Sequence, residues 1–301
     1  MTKKFVRTPE ERFNYLPDFP YKQNYFEFRG LRVHYIDEGE PDGEVILCLH
    51  GEPTWAFLNR KMIPIFLKAG YRVVVPDYIG FGRSDKYTEI ADYDFNLHYD
   101  TITALIKSLN LSNITVICQD WGYVGLVVAA NHPKLFSRLV ILNTFLPDGI
   151  YKPSAAWFQF KQFAEQAELS ASFLLTSATV TRNKLPKDVL DAYDAPFPDK
   201  TYKAGMQSFP LIVPLKPEDP GAKEGGEARK LLKDWKKPAI VMFSDTDQIM
   251  VGLDKYFRNL IPGTKGQPEI TIKNAGHFLQ EDKGEEIADH IVEFINRTPV
   301  K

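Results

Sequence analysis

Three short runs, apolar throughout but for Thr115, constrain this chain more than any other feature: Val45–Leu49, Ile114–Cys118 and Leu139–Leu142. Runs of that length without polar alternation suit strands covered on both faces, and such strands pair in parallel with helices crossing between them. The segments in between read accordingly. Thr54 to Lys68 is predicted to be a helix and Arg72 to Pro76 a strand, while Ile102, Leu105, Ile106 and Leu109 fall at helical spacing and give one buried stripe. Tyr25 to Asp37 alternates around Gly30 as an opening hairpin. Between Pro147 and about Lys230 the rhythm breaks into prolines, aromatics and helical pieces with no buried strand. It resumes with a strand at Ala239–Phe243, a helix at Leu253–Leu260, a strand at Glu269–Ile272 and a last helix carrying Ile287, Ile291 and Ile295. The expectation is an α/β chain with a mostly parallel central sheet flanked by helices. Its core spans 1–146 and 231–301, with a helical cap inserted over 147–230 and the charged stretch Lys223–Lys237 as the return linker.

Charge narrows the class of partner. Lys+Arg 37 against Asp+Glu 39 leaves a net charge of -2, with none of the basic excess that nucleic acid or an anionic membrane calls for. A small, weakly charged partner is expected. Cys48 and Cys118 both sit inside buried strand runs, which predicts two reduced thiols and no disulfide framework. Met1 to Pro17 mixes charged and aromatic residues without the apolar core of a signal peptide, so a cytoplasmic location is expected, with a monomer or weak dimer as the working state.

The run Ile114–Cys118 leads through a sharp turn into the apolar stretch Val124–Ala130. Strand, turn, helix is the context in which an α/β-hydrolase presents its nucleophile, and here the five elbow residues are Cys118-Gln119-Asp120-Trp121-Gly122. Asp stands where Ser usually does, and Cys118 replaces the first glycine. The plain alternative is that Asp120 only caps the helix. Two further features favour the nucleophile. Asn274-Ala275-Gly276-His277-Phe278 follows the last predicted strand and places His277 as the base, and Ser244-Asp245-Thr246-Asp247 follows the strand before it, offering Asp247, or else Asp245, as the acid that orients the ring. His34, His98, His132 and His290 have ordinary structural positions in this scheme. The loop His50-Gly51-Glu52-Pro53 matches the segment that builds an oxyanion hole, with the backbone N–H groups of Glu52 and Trp121 as donors; by itself it is also a simple tight turn.

A carboxylate nucleophile dictates different chemistry from a serine. With an unperturbed pKa of about 3.9 it is ionised at neutral pH and needs no base to attack. It displaces a leaving group from saturated carbon, forming an alkyl ester that water must then hydrolyse. His277 held by Asp247 would activate that water, and no metal or cofactor is called for.

These residues carry a family resemblance. His50-Gly51-Glu52-Pro53-Thr54-Trp55, Gln119-Asp120-Trp121-Gly122 and Gly276-His277-Phe278 resemble the haloalkane dehalogenases, and so do Arg7-Thr8-Pro9, Gly80-Phe81-Gly82-Arg83-Ser84-Asp85 and Ala195-Pro196-Phe197-Pro198-Asp199. The likeness spans almost the whole chain and is strongest to the branch whose acid follows the later strand and whose halide is held by two tryptophans. Asn143 stands where the other branch has its acid, which favours Asp247. The resemblance implies dehalogenation of a small apolar halogenated substrate by water, with Trp121 as one halide donor. An indole N–H donates and cannot accept, which suits a departing halide. Trp157, the only tryptophan in the insertion, is the expected second donor or else a core anchor of the cap, and Phe158, Phe160, Phe163 and Phe173 are candidates for the wall of an alkyl cavity. An epoxide hydrolase is the nearest rival; it would need cap tyrosines facing the leaving oxygen, and Tyr151, Tyr193 and Tyr202 are available. A haloacid dehalogenase would need cations in the cavity, and a non-enzymatic receptor would have no use for the Asp120, Asp247 and His277 set.

Overall fold

The computed structural model describes residues 3–181 and 185–300. Short strand β1 (Phe5–Val6) leads to the hairpin β2 (Asn24–Phe28) and β3 (Leu31–Glu38), then to β4 (Val45–Leu49), α1 (Ile63–Lys68) and β5 (Arg72–Pro76). After β6 (Lys86–Tyr87), which pairs with β1, come α2 (Phe95–Ser108), β7 (Ile114–Asp120), α3 (Tyr123–Asn131) and β8 (Phe136–Thr144). The insertion holds α4 (Ala155–Gln166), α5 (Ala171–Ala178), α6 (Lys187–Asp194), α7 (Ala204–Ser208) and α8 (Ala222–Leu232). The chain closes with β9 (Ala239–Ser244), α9 (Leu253–Leu260), β10 (Ile270–Ile272) and α10 (Leu279–Arg297).

The main sheet runs β10-β9-β8-β7-β4-β5-β3-β2, parallel except where β3 meets β5 and β2. Every residue of β4 and β7 is buried, as the apolar runs require when helices cover both faces. Because β5 and β7 flank β4 on opposite sides, the chain reverses its winding there, and a crevice opens beyond the carboxyl ends of β4 and β7. The loop His50–Pro53 and the turn Gln119–Gly122 are the two segments that leave those ends.

Two expectations change. The stretch read as one helix over Thr54 to Lys68 is a 3-10 turn at Ala56–Asn59 followed by α1, with Pro64 in the first turn of the latter. A proline is tolerated there but has no N–H with which to continue a longer helix. The stretch read as a linker over Lys223–Lys237 begins as helix α8, seated against α3 of the core. Among the described residues the insertion adds no strand to the sheet, and no helix is long and apolar enough to cross a membrane.

One buried ion pair ties the insertion to the core. The Arg60 guanidinium meets the Glu281 carboxylate at 2.6 and 2.7 Å, both side chains at most 3% exposed, and the Tyr193 hydroxyl of α6 donates to the same carboxylate at 2.7 Å. Burial would raise the Glu281 pKa, but Arg60, Lys61 and Tyr193 outweigh it and hold the carboxyl below its ordinary range. Its stabilisation is therefore present above the unfolded carboxyl pKa and is lost as pH falls through the lower folded value. Glu281→Leu strands the Arg60 charge in the interior and should cost about 3–5 kcal/mol in urea denaturation, while adding Arg60→Met should recover most of the loss. A single-variant cost below about 1 kcal/mol would show that the pair is solvated.

Candidate active site

Asp120 ends β7 with φ 51°, in the left-handed region that non-glycine residues avoid. The strain aims its side chain into the crevice. The turn is held by Thr144, whose hydroxyl donates to the Asp120 carbonyl at 2.6 Å, and by the Gly122 amide donating to the Gln119 carbonyl at 2.7 Å. Gly122, without a side chain to offer, occupies the N-cap of α3, so Asp120 is not spent on capping.

The carboxylate oxygens face different partners. Oδ1 accepts the Glu52 backbone N–H at 2.8 Å, and Oδ2 lies 3.4 Å from His277 Nε2. The predicted Trp121 half of the oxyanion hole forms no hydrogen bond among the described residues and stays free for a developing charge. Only glycine fits before Glu52, because a Cβ on Gly51 would come within 2.2 Å of Asp120 Oδ1. His50, assigned from sequence only to the loop, props this segment: its Nδ1 lies 2.9 Å from the Gly51 carbonyl while its Nε2 accepts the Tyr78 N–H at 3.1 Å. Those partners require the proton on Nδ1, and burial lowers the ring's pKa and keeps it neutral.

On the other flank Asp247 Oδ2 receives His277 Nδ1 at 2.8 Å, and Asp247 Oδ1 accepts the amides of Ile249 and Met250. Asp245, the alternative acid, instead faces the Ala275 amide and Lys273. Asn143 pins the His277 loop from below, its Nδ2 donating to the Gly276 carbonyl at 2.9 Å and the His277 carbonyl at 3.2 Å. Burial alone would favour a neutral His277 ring, but Asp247 and Asp120 raise its pKa to about 10. With both carboxylates ionised it is an imidazolium.

Asp120 and His277 open into a cavity of about 420 Å³ whose wall includes both Trp121 and Trp157. Trp121 is fixed by stacking on Phe209 at 4.3 Å between ring centroids. Neither indole N–H has a hydrogen-bond partner among the described residues. Of the four phenylalanines expected in the wall only Phe160 is there; Phe158, Phe163 and Phe173 are exposed. Helix α4 turns Trp157, Phe160 and Ala164 to one side, which leaves Phe158 and Phe163 on the other. The apolar wall is completed by Phe145, Leu174, Val213, Ile249 and Phe278. Among the described residues no lysine or arginine lines it, against a haloacid, and none of Tyr151, Tyr193 and Tyr202 does, against an epoxide.

The sheet order, the strained turn at Asp120 and the Asp247–His277 pair define an α/β-hydrolase, and residues 44–284 match the family model for the alpha/beta hydrolase fold. Over 98% of its length the chain is 45% identical to a haloalkane dehalogenase of Psychrobacter cryohalolentis, covering 99% of that protein. A haloalkane dehalogenase of Mycobacterium marinum is 43% identical over 95% of this chain and 98% of its own. The tetrameric haloalkane dehalogenase DpaA from Paraglaciecola agarilytica NO2 superposes with a TM-score of 0.89 at 40% identity, covering 95% of this chain and 97% of that one. The chain belongs to the haloalkane dehalogenases. It hydrolyses carbon–halogen bonds, giving alcohol, halide and a proton.

Proposed function

We propose that Asp120 is the nucleophile, His277 the base, Asp247 its orienting acid, and that Trp121 and Trp157 hold the halide. The observation that carries this reading is one apolar cavity lined at once by Asp120, His277, Trp121 and Trp157. Asp120 Oδ2, free of the amide that holds Oδ1, attacks the halogen-bearing carbon. The O–C bond forms as the C–X bond breaks, and the halide leaves with the electron pair towards the two indole N–H groups. Alkylation removes the Asp120 charge that helped keep His277 protonated, so the ring gives up its proton to solvent and becomes the base for the second step. It takes a proton from water, the oxygen adds to Asp120 Cγ, and the charge gathers on Oδ1 between the Glu52 and Trp121 amides. Collapse expels the alcohol and restores carboxylate and imidazolium, so one proton is released per turnover. The insertion over 147–230 serves as the cap that brings Trp157 and keeps the cavity apolar.

Trp157→Phe removes one of two donors to a desolvated anion and should weaken bromide binding about tenfold or more, read by quenching of the remaining indole fluorescence. Unchanged affinity would return Trp157 to a packing role. The protein is read as a cytoplasmic enzyme, in keeping with two free, buried cysteines. Monomer or weak dimer is the reading from sequence; the relative described as tetrameric favours four copies instead, and sedimentation velocity separates the two.

A further inference from the structure

Gln119 is the residue of β7 directly before the nucleophile, and its side chain has no part in the scheme above. It is wholly buried, and its amide oxygen finds no hydrogen-bond partner among the described residues. A buried amide left half unsatisfied costs more than an apolar side chain of the same size, so space filling does not account for it. The nitrogen end is the one engaged. Gln119 Nε2 donates to the His277 backbone carbonyl at 3.2 Å and lies 3.3 Å from His277 Nε2, the ring atom that faces Asp120 Oδ2. The carbonyl can only accept, which puts the amide nitrogen on this side and leaves its second hydrogen for the ring. Asn143 Nδ2 donates to the same His277 carbonyl, so the backbone of that loop is anchored without Gln119.

The contact at Nε2 distinguishes the two states of the base. His277 Nδ1 is bonded to Asp247 Oδ2 in both, so the proton that comes and goes is the one on Nε2. An imidazolium presents an N–H there, and two donors then face each other across 3.3 Å. A neutral ring presents a lone pair, and the amide hydrogen gains an acceptor. A hydrogen bond made to the neutral form favours that form. The ionisable groups facing the ring are Asp247 in the loop after β9, Asp120 at the end of β7 and Glu52 in the loop after β4, while Asp282 of α10 is turned to the Gly276, Val180 and Thr181 amides. Burial disfavours the imidazolium, and in the resting enzyme Asp247 and Asp120 outweigh it. Once Asp120 is an ester, one of those two opposing charges is gone. We propose that Gln119 is a positioning residue for the base: after alkylation its amide favours the His277 ring that has lost the Nε2 proton and keeps that ring seated beside the Asp120 ester. The hydrolytic water then displaces the amide hydrogen from Nε2, and the NH2 group rests on the His277 carbonyl alone. This inference rests on the assignment of Asp120 and His277 above.

Rapid-quench single turnovers of 1-bromobutane, with the alkyl adduct followed by mass from about pH 5 to pH 10, test it in the wild type, Gln119→Met and Gln119→Glu. Ester hydrolysis should rise with pH to a plateau as the ring gives up its proton. Gln119→Met keeps the bulk without the donor, and its rise should come about one pH unit higher than in the wild type. Hydrolysis on the acidic side should then fall about tenfold, while the plateau and the alkylation rate stay within about threefold of wild type. Gln119→Glu has the same shape but sets a carboxylate against Nε2, so its rise should lie higher still, and it carries the test if Gln119→Met does not fold. Superimposable profiles, a slowing by one factor at every pH such as loosened packing would give, or a Gln119→Glu rise at or below that of the wild type would each overturn the proposal. If Asp120 and His277 themselves are misassigned, no adduct forms on Asp120 in any of the three proteins, whereas failure of this proposal alone leaves an adduct whose breakdown has the same pH dependence with and without the Gln119 amide.

Discussion

His277→Gln should release one equivalent of halide at close to the wild-type rate and then stop, with the alkyl group still on Asp120. The first half-reaction needs an ionised carboxylate and halide donors but no base, and glutamine leaves both in place. The second half-reaction loses its general base, a contribution of about 10²–10⁴-fold. Intact mass should rise by the alkyl group, and peptide mapping should place it within Gln119-Asp120-Trp121. Halide release should also part from proton release, because the proton that wild type gives up comes from the His277 ring between the two steps. A variant that turns over normally, or one that releases no halide at all, would contradict the division of labour.

Asp120→Ala should abolish both half-reactions. Among the described residues no other carboxylate is placed to replace it: burial pushes the Glu52 carboxyl well above its ordinary pKa range and weakens it as a nucleophile, and Asp247 is committed to His277 and to the Ile249 and Met250 amides. The loss should be on the order of 10⁶ in kcat, the scale seen when a covalent nucleophile is removed. Halide binding at Trp121 and Trp157 should survive or tighten, because the substitution removes a negative charge from the same cavity. Binding kept while turnover is lost separates a missing nucleophile from a collapsed site.

The parts of this molecule that were legible in its sequence are those fixed by local physics. Strands β4, β7, β8 and β9 stood out because burial on both faces gives each a mostly apolar central run. Asp120 was legible because it ends such a strand, and His277 because it stands in the loop after the last strand, β10; a parallel sheet delivers both to one edge. Residues whose role depends on distant chain segments were not. Phe145, Val213 and Ile249 share a cavity wall but come from a strand end, a cap loop and the acid loop. Phe158, Phe163 and Phe173 looked equally suitable by type, and only the rotation of their helices excludes them. Helix α8 read as a linker because it carries Gly225 and Gly226 among charges. A Cβ at Gly225 would come within 1.8 Å of the Pro147 carbonyl, so that glycine marks a close approach of helix and chain and not a flexible joint. His50 and Asn143 hold the Gly51–Pro53 segment and the His277 loop through backbone carbonyls, and a bond to a carbonyl leaves no trace in the partner's identity.

The central claim is that an alkyl group passes through the Asp120 carboxylate, and one turnover in ¹⁸O-labelled water, with enzyme in excess over 1-bromobutane, tests it most directly. Water that attacks Asp120 Cγ leaves its oxygen in the protein, while the alcohol departs with an oxygen the enzyme already held. Passage through the ester gives unlabelled 1-butanol and one ¹⁸O in the peptide containing Asp120. Labelled alcohol with an unlabelled peptide would mean that water attacks the substrate carbon directly, and the ester would have no place in the reaction.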